Sequence, residues 1–528
     1  MPDPEKIELT PEQVALLRQR IEEQSLEPED YKILSGMIDT LVFFKQAAEE
    51  KTISIKRLLN LLFGPTTETA DEVLGHRKKG KKKKKGGQKP KGHGRKGASA
   101  YPGADKVCVS HPELRPKDIC PACEKGKVYK SVKPGTLLRF LASVPVKATV
   151  YEMDKLRCNL CGEIFTAPVP EEAGPAKYDE TVAAMIAVLK YGSGFPFYRI
   201  EKLQESFGIP LAASTQWELV KRQAEAGAQK AYEEMIRQAA QGEIIHNDDT
   251  TMKVLALMNL EDLQEQEEVS KQSRTGIYTT GLLSVKDDKK ISLFFTGNKH
   301  AGENLEELLK QREVNRDPPI QMCDALSRNL PKSFQTVLSN CLCHARRNFV
   351  EVFDNFPEKC EYIIETMGQV YKNDEITLEQ GMSPANRLAY HQIHSQPVMD
   401  ELYKWLNKQF NENLEEHNSG LGKAISYMLN RWEPLTLFLK VENAPLHNNI
   451  CERALKKAIL HRKNALFYKT LYGAYIGDIY MSLIHTCNLT GANPFEYLTA
   501  LALNEETVKQ SPARWMPWNY SQSLNLSG

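Results

Sequence analysis

The sequence predicts a multidomain α/β protein, with a mixed sheet broken by a helical insertion and preceded by helical, metal-binding and helix-turn-helix-like segments. Three observations carry that prediction. Short β-rich runs between Ile244 and Asp324 follow the order strand, two strands, helix, strand, and an acid ends the first and the last. Apolar residues three and four apart recur on both sides of that block, as amphipathic helices require. The chain of 528 residues exceeds the ~100 to 200 that one domain usually holds, and it breaks into Gly- and Lys-rich composition after residue 64. That order of strands and acids is the order of an RNase H-like sheet, on which carboxylates from separate strands converge.

At 41% hydrophobic and 26% charged residues, the composition is that of a soluble protein. No apolar run approaches the ~20 residues of a membrane span, so no membrane partner is expected. Met1-Pro2-Asp3-Pro4-Glu5 has no signal-peptide character, and a cytoplasmic location is expected. Eleven cysteines are too sparse for a secreted disulfide scaffold, and four of them fall into two Cys-x-x-Cys pairs, which favours metal. The net charge of +1 conceals a division, because Arg77 to Lys96 holds twelve Lys/Arg and no acid and the rest of the chain is therefore at −11.

Residues 1–64 read as a helical, oligomer-forming region. Thr10-Pro11-Glu12-Gln13 supplies an N-cap, a first-turn proline and a capping-box glutamine for a helix to Gln24. A second helix from Pro28 carries Tyr31, Leu34, Ile38 and Leu41, and a third carries Ile55, Leu58, Leu59 and Leu62. A small bundle or coiled-coil dimer suits them, with a DNA-reading helix-turn-helix as the alternative. Residues 65–104 cannot bury apolar surface and are expected to be a disordered basic linker. Lys81, Lys82 and Lys83 lie in its densest run, where phosphate neutralisation gives sequence-blind, salt-dependent affinity for nucleic acid. A solubilising linker is the plainer alternative.

Residues 105–170 carry Cys120-Pro-Ala-Cys123 and Cys158-Asn-Leu-Cys161. Each pair can hold one edge of a tetrahedral Zn²⁺, and Cys120, Cys123, Cys158 and Cys161 complete the four ligands unless the two pairs never meet. Cys108 and His111 are two ligands without partners. Over 171–240, Asp179 to Lys190 predicts a helix, and Tyr198 to Phe207, a Gly208-Ile209-Pro210 turn and Ser214 to Ala224 predict a helix-turn-helix. Thr215 and Gln216 would then face base edges with Ser214, while Trp217 and Val220 pack inward; any αα-hairpin has the same outline.

The core is expected at 241–480. Ile244 to His246 lead into Asp248; Gly276 to Val285 and Ile291 to Thr296 flank a hairpin turn; Leu305 to Leu309 form a helix; Ile320 to Cys323 lead into Asp324. Two hard divalent cations need oxygen ligands and positions left open for phosphate, which paired aspartates and a glutamate supply. Glu452, at the start of a helix, can be that glutamate. Equally, Asn449-x-x-Glu452 can be a capping box and Glu452 with Lys456 an i,i+4 ion pair. At ~100° per residue Lys456 and Lys463 fall within about 40° of Glu452 around the helix, so one face would offer an acid and two phosphate-gripping lysines. The stretch of about 350–440 reads as a helical insertion, and 481–528 as a C-terminal region.

Several blocks resemble the DDE transposases of the insertion sequence 66 family, over nearly the whole chain. They are His246-Asn247-Asp248-Asp249-Thr250, Cys343-His344-Ala345-Arg346-Arg347-Asn348-Phe349, Asn448-Asn449-Ile450-Cys451-Glu452-Arg453-Ala454-Leu455, Arg462-Lys463-Asn464 and the tail Trp515-Met516-Pro517-Trp518-Asn519-Tyr520. The resemblance implies that Asp248, Asp324 and Glu452 are the catalytic triad holding Mg²⁺ or Mn²⁺, and it alone favours Asp248 over Asp249. Ala325-Leu326 after Asp324 and His447 depart from the family's usual Gly-Tyr and aspartate. It further implies cleavage and joining of transposon ends by two-metal phosphoryl transfer on double-stranded DNA, ends and target alike. Arg346, Arg347, Arg462 and Lys463 would hold phosphates, and His344 would position a phosphate or water or be structural. A homodimer or higher oligomer would pair two ends, with accessory proteins of the same element as further potential partners. The alternatives are a non-catalytic zinc and helix-turn-helix regulator, or an RNase H-like nuclease that does not join strands.

Overall fold

The computed structural model describes residues 112–119, 121, 125–129, 143–157, 164–258 and 276–526, together with six positions between 20 and 33. The chain divides into two compact units, Met1–Lys85 and Gly86–Gly528, and the fold below is that of the second. Among the six N-terminal positions, Arg20 and Asp30 form an ion pair at 3.2 Å. The three predicted N-terminal helices as whole elements, the basic tract with Lys81, Lys82 and Lys83, and Cys108, His111, Cys120, Cys123, Cys158 and Cys161 lie outside the described residues.

A small antiparallel pair, β1 (Lys155–Arg157) and β2 (Ile164–Thr166), precedes the main body. The central sheet has five strands: β3 (Ile244–Thr251), β4 (Tyr278–Lys286), β5 (Lys289–Gly297), β6 (Ile320–Cys323) and β7 (Val337–Asn340). Their order is β5-β4-β3-β6-β7. The first three are antiparallel, and β6 and β7 run parallel to β3 and to each other. The turn between β4 and β5 is two residues long, Asp287-Asp288, with Asp287 at φ 51°, the positive φ that tight hairpins need and aspartate tolerates. The strand–hairpin–helix–strand order expected from sequence is found, and α5 (Ala301–Leu309) fills the helical place in it. β7 is an addition to that order.

Helices cover both flanks. α1 (Glu180–Ala187) starts at Asp179, whose Oδ1 accepts from the amides of Thr181 and Val182. α2 (Phe197–Ser206) turns at Gly208, φ 74°, into α3 (Ala213–Gln223), which runs through a π-helical turn into α4 (Gln229–Ala239). Two helices joined by a turn thus lie where a helix-turn-helix is expected, an outline shared by any αα-hairpin, and α3 continues into a helix packed against the sheet. α6 (Leu342–Glu351) follows β7; α7 (Pro357–Glu379), α8 (Pro384–His394), α9 (Gln396–Asn411) and α10 (Gly420–Leu429) make up the helical insertion. The chain returns as α11 (Asn449–Ala465) and α12 (Leu471–Thr490).

The outer strand β5 is closed off by α12. Asp478, Ser482 and Thr486, one helical turn apart, accept from the amides of Thr296, Phe294 and Ser292 at 2.7, 2.9 and 3.1 Å. A four-residue helical period meets a two-residue strand period, so these edge amides are paired within the chain. One apolar cluster runs from Val146 through α1, α3, α4, the sheet and α12 to Met516. The expected boundaries at 240 and 480 both run through this cluster. The insertion buries residues of its own, including Ile363, Ile364, Met367, Leu402, Leu406 and Ile425. No helix among the described residues is long and apolar enough to cross a membrane.

Candidate active site

Successive side chains of a strand point to opposite faces, and on β3 both faces are polar. His246, Asp248 and Thr250 share one face. His246 Nδ1 lies 3.0 Å from Asn448 Oδ1, and Arg462 Nη1 donates to Thr250 Oγ1 at 3.3 Å. Both partners belong to the α11 segment, so Asp248, between them, faces that helix. Asn247 and Asp249 share the other face, where Asn247 Nδ2 donates to the Asn329 carbonyl at 2.8 Å. Asp249, with a side chain 1% exposed, lies 3.0 Å from His300 Nδ1 and 3.4 Å from Arg328 Nη2.

The parallel ladder pairs Ile244 with Ile320, Ile245 with Gln321 and His246 with Met322. Continued two residues past its last pair, the same register leads Asp324 toward Asp248, and the Asp324 charge acts on the Asp248 carboxyl. Asp324 is held in a turn just past β6, with Oδ1 accepting from the Leu326 amide at 3.2 Å and from Asn329 Nδ2.

Glu452 arrives on α11. Asn448 precedes that helix and is buried; its Nδ2 donates to the Asn247 carbonyl at 3.2 Å, while its amide points at Cys341 Sγ at 3.3 Å. The helix crosses β4 where Gly281 stands opposite Asp248 in the antiparallel ladder. Cys451 Sγ donates to the Gly281 carbonyl at 3.3 Å, and a Cβ on Gly281 would lie 3.0 Å from the Leu455 side chain. The approach to Asp248 therefore depends on a residue without a side chain. The capping-box reading is corrected: Asn448, not Asn449, is the N-cap, and its side chain makes no cap bond because it is anchored to β3. Nor do Glu452 and Lys456 form an ion pair among the described residues.

Three acids are thereby concentrated. Burial pushes the Asp248 carboxyl up to about 7, and the charges of Asp324, Asp249 and Glu452 act in the same direction. Among the described residues no lysine or arginine pairs with Asp248, Asp324 or Glu452. Glu452 Oε1 is buried without a hydrogen-bond partner. Carboxylates are the donors that hard divalent cations take, but among the described residues the three ligand groups whose atoms lie within 4.8 Å of one another are those of Cys341, His344 and Glu452, not those of the three acids. His344, on α6, has Nδ1 3.9 Å from Glu452 Oε1, and burial lowers its pKa.

The other predicted residues divide by exposure. Arg347, Lys456 and Lys463 are exposed and free to meet phosphate. Arg346 is buried, with Nη2 unpartnered. Arg462 also donates to the Thr251 carbonyl, so it fastens the end of β3 to α11. Thr215 is half-buried near the start of α3. Gln216 is a correction: it is fully buried and its Nε2 donates to the Leu211 carbonyl at 2.8 Å, which removes it from base reading. Trp217 and Val220 pack inward as expected. Sequence reasoning missed Asn448, Cys341 and His300; the signal for Asn448 was the doubled asparagine, one more residue than an N-cap needs.

A family model described as Transposase IS66 family matches residues 176–476. The curated relatives include three uncharacterized proteins of Sinorhizobium fredii (strain NBRC 101917 / NGR234). Uncharacterized protein y4hP is 25% identical over 441 residues, 78% of this chain and 75% of the relative. Uncharacterized protein y4jD is 32% identical over 189 residues, 35% of this chain and 36% of the relative. Uncharacterized protein y4qI is 24% identical over 372 residues, 65% of this chain and 62% of the relative. The chain thus spans less than two thirds of the second and third of these relatives.

Proposed function

The chain belongs to the IS66 transposase family, and from that premise we propose that it cleaves and joins transposon ends by in-line phosphoryl transfer, with Asp248, Asp324 and Glu452 as the acids of an RNase H-like core. The observation that supports this reading is the parallel register of β3 and β6, which continued two residues past its last pair leads Asp324 toward Asp248, together with the charges of Asp324 and Glu452 acting on the Asp248 carboxyl. Two Mg²⁺ or Mn²⁺ ions held there would activate water, and later the freed 3′-hydroxyl, and stabilise the leaving oxygen.

The protein's own part is to hold charge and position DNA. Asp248, raised to about 7, gives up its proton when a cation is bound, and the buried Glu452 oxygen offers a lone pair with no competing donor. Arg347, Lys456 and Lys463 grip the phosphate backbone around the acids, while Arg462, anchored to Thr250 and Thr251, keeps strand and helix in place. The basic tract with Lys81, Lys82 and Lys83 adds sequence-blind affinity.

End recognition falls to a zinc module of Cys120, Cys123, Cys158 and Cys161 and to the start of α3, with the exposed Ser214 and the half-buried Thr215. In support, antiparallel contacts bracket each cysteine pair in sequence: Ile119 with Lys127, and β1 with β2. The N-terminal helices would pair subunits so that two ends are held together, and the protein would work in the cytoplasm on nucleoid DNA.

The test is a strand-transfer assay with end-bearing DNA and Mg²⁺ or Mn²⁺. Nicking followed by joining, both lost in Asp248→Ala, is the expected result. Nicking without joining would make the protein a nuclease. Neither reaction, with wild type and Asp248→Ala alike, would leave a DNA-binding regulator.

A further inference from the structure

We propose that Cys341, His344 and Glu452 form a binding site for one thiophilic divalent cation, of the Zn²⁺ or Co²⁺ kind, that shares Glu452 with the acid site. Cys341 is the N-cap of α6 and His344 stands one turn further on, so the Cys-x-x-His spacing puts both ligands on one side of the helix start. Glu452 enters from α11. One ligand atom from each residue lies within 4.8 Å of the other two. His344 Nδ1 and Glu452 Oε1 are 3.9 Å apart, beyond hydrogen-bond distance, and each is a buried atom with no hydrogen-bond partner. Around tetrahedral zinc, bonds of about 2.0–2.3 Å leave ligand atoms roughly 3.3–3.8 Å apart, so small rotamer changes close this set on a cation.

The donor set decides the cation. A sulfur, an imidazole nitrogen and one carboxylate oxygen suit Zn²⁺ or Co²⁺ and do not suit Mg²⁺, which prefers oxygen and water. The Asn448 amide, 3.3 Å from Cys341 Sγ, fits a sulfur acting as electron donor. The consequence for catalysis rests on the reading above: a cation bound here occupies Glu452 and withdraws it from the acid site. Binding itself stands apart from that reading.

The experiment is Co²⁺ titration of metal-stripped full-length protein in excess Mg²⁺, following the thiolate-to-cobalt charge-transfer band and the bound stoichiometry. The Cys-x-x-Cys pairs can also take Co²⁺, so the measured quantity is the difference between proteins. Wild type should bind one equivalent more than Cys341→Ser and one more than His344→Gln, each checked by thermal melting. His344 is half-buried, so its variant still decides the matter if Cys341→Ser does not fold. In strand transfer, Cys341→Ser should tolerate at least tenfold more Zn²⁺ than wild type. Equal Co²⁺ uptake and equal spectra in all three proteins would overturn the proposal. An extra equivalent in wild type without strand transfer under any metal would support the site and count against the DNA-joining reading.

Discussion

Asp248 and Asp249 are consecutive on β3 yet serve opposite faces of the sheet: Asp248 faces the helix that carries Glu452, and Asp249 is locked to His300 at 3.0 Å. The two should therefore fail differently. Loss of an outer-shell partner in a metal site typically costs roughly 10–100-fold, and loss of a ligand more, so Asp248→Ala should bring metal-dependent cleavage below about a hundredth of wild type with folding intact. Asp249→Ala leaves His300 and the start of α5 without their acceptor. It should lower stability by about 1–3 kcal/mol in urea denaturation while the folded fraction still cleaves. Equal loss of cleavage in both, at equal stability, would contradict this division.

The raised pKa of Asp248 makes stability depend on pH with a definite sign. Between 3.8 and about 7 the folded protein keeps a proton at Asp248 that the unfolded chain has released. The folded state binds more protons there, so this group's contribution falls as pH rises through the window and is level above it. Asp478, also raised to about 7 by burial, slopes the same way, so the comparison must be with a variant. In metal-free buffer Asp248→Asn should melt several degrees above wild type at pH 8 and close to it at pH 4. Mg²⁺ at pH 8 should then stabilise wild type more than the variant.

The choice of face was not legible in the sequence, and the reason is physical. Strand faces are read from alternation of apolar and polar residues, but from His246 to Thr251 both phases of β3 are polar. The neighbouring strands announced themselves by apolar runs such as Ile320 to Cys323. β7 did not, because Val337–Asn340 is four residues long and ends in Ser339 and Asn340. Gln216 was misread for a related reason: it lies on the inward stripe with Val220 and Gln223, and its polarity is satisfied by a backbone carbonyl only five residues away. The cysteine pairs and the basic tract stand out in the sequence by spacing and charge, and they lie outside the described residues.

Asn448 joins the strand of one acid to the helix of another. Its side chain meets both His246 and the Asn247 carbonyl, groups that cannot find water in its place. Asn448→Ala should cost about 1–3 kcal/mol of stability by leaving them unpaired. It should also lower the cleavage rate more than DNA affinity, because Glu452 loses its fixed distance from Asp248. Rates under saturating DNA, measured beside filter binding, separate the two effects.

On the proposed function, exposure should separate DNA-gripping from structural residues. Arg347→Ala, Lys456→Ala and Lys463→Ala should each weaken binding across all sequences and reduce the slope of log affinity against log salt by about 1. Gln216→Ala should leave that slope and the preference for end sequences unchanged and lower the melting temperature instead. A change of end preference in Gln216→Ala would return that residue to base reading.

Gly281 tests whether the acid site depends on how closely α11 approaches the sheet. A Cβ there would meet Leu455 Cγ and Cδ2 at 3.0 Å, tighter than side chains normally pack, and Leu455 is itself 3% exposed with little room to yield. Gly281→Ala should therefore push α11 outward beside Asp248, lower stability by about 1–3 kcal/mol as overpacking does, and cut the cleavage rate disproportionately. Leu455→Ala alone opens a cavity and should cost about 2–5 kcal/mol. In the double variant the added methyl enters the space that Leu455 vacates, so the two losses should fall short of additive and part of the rate should return. Strict additivity in urea denaturation, or a double variant slower than either single one, would mean that contact at Gly281 does not set the position of Glu452.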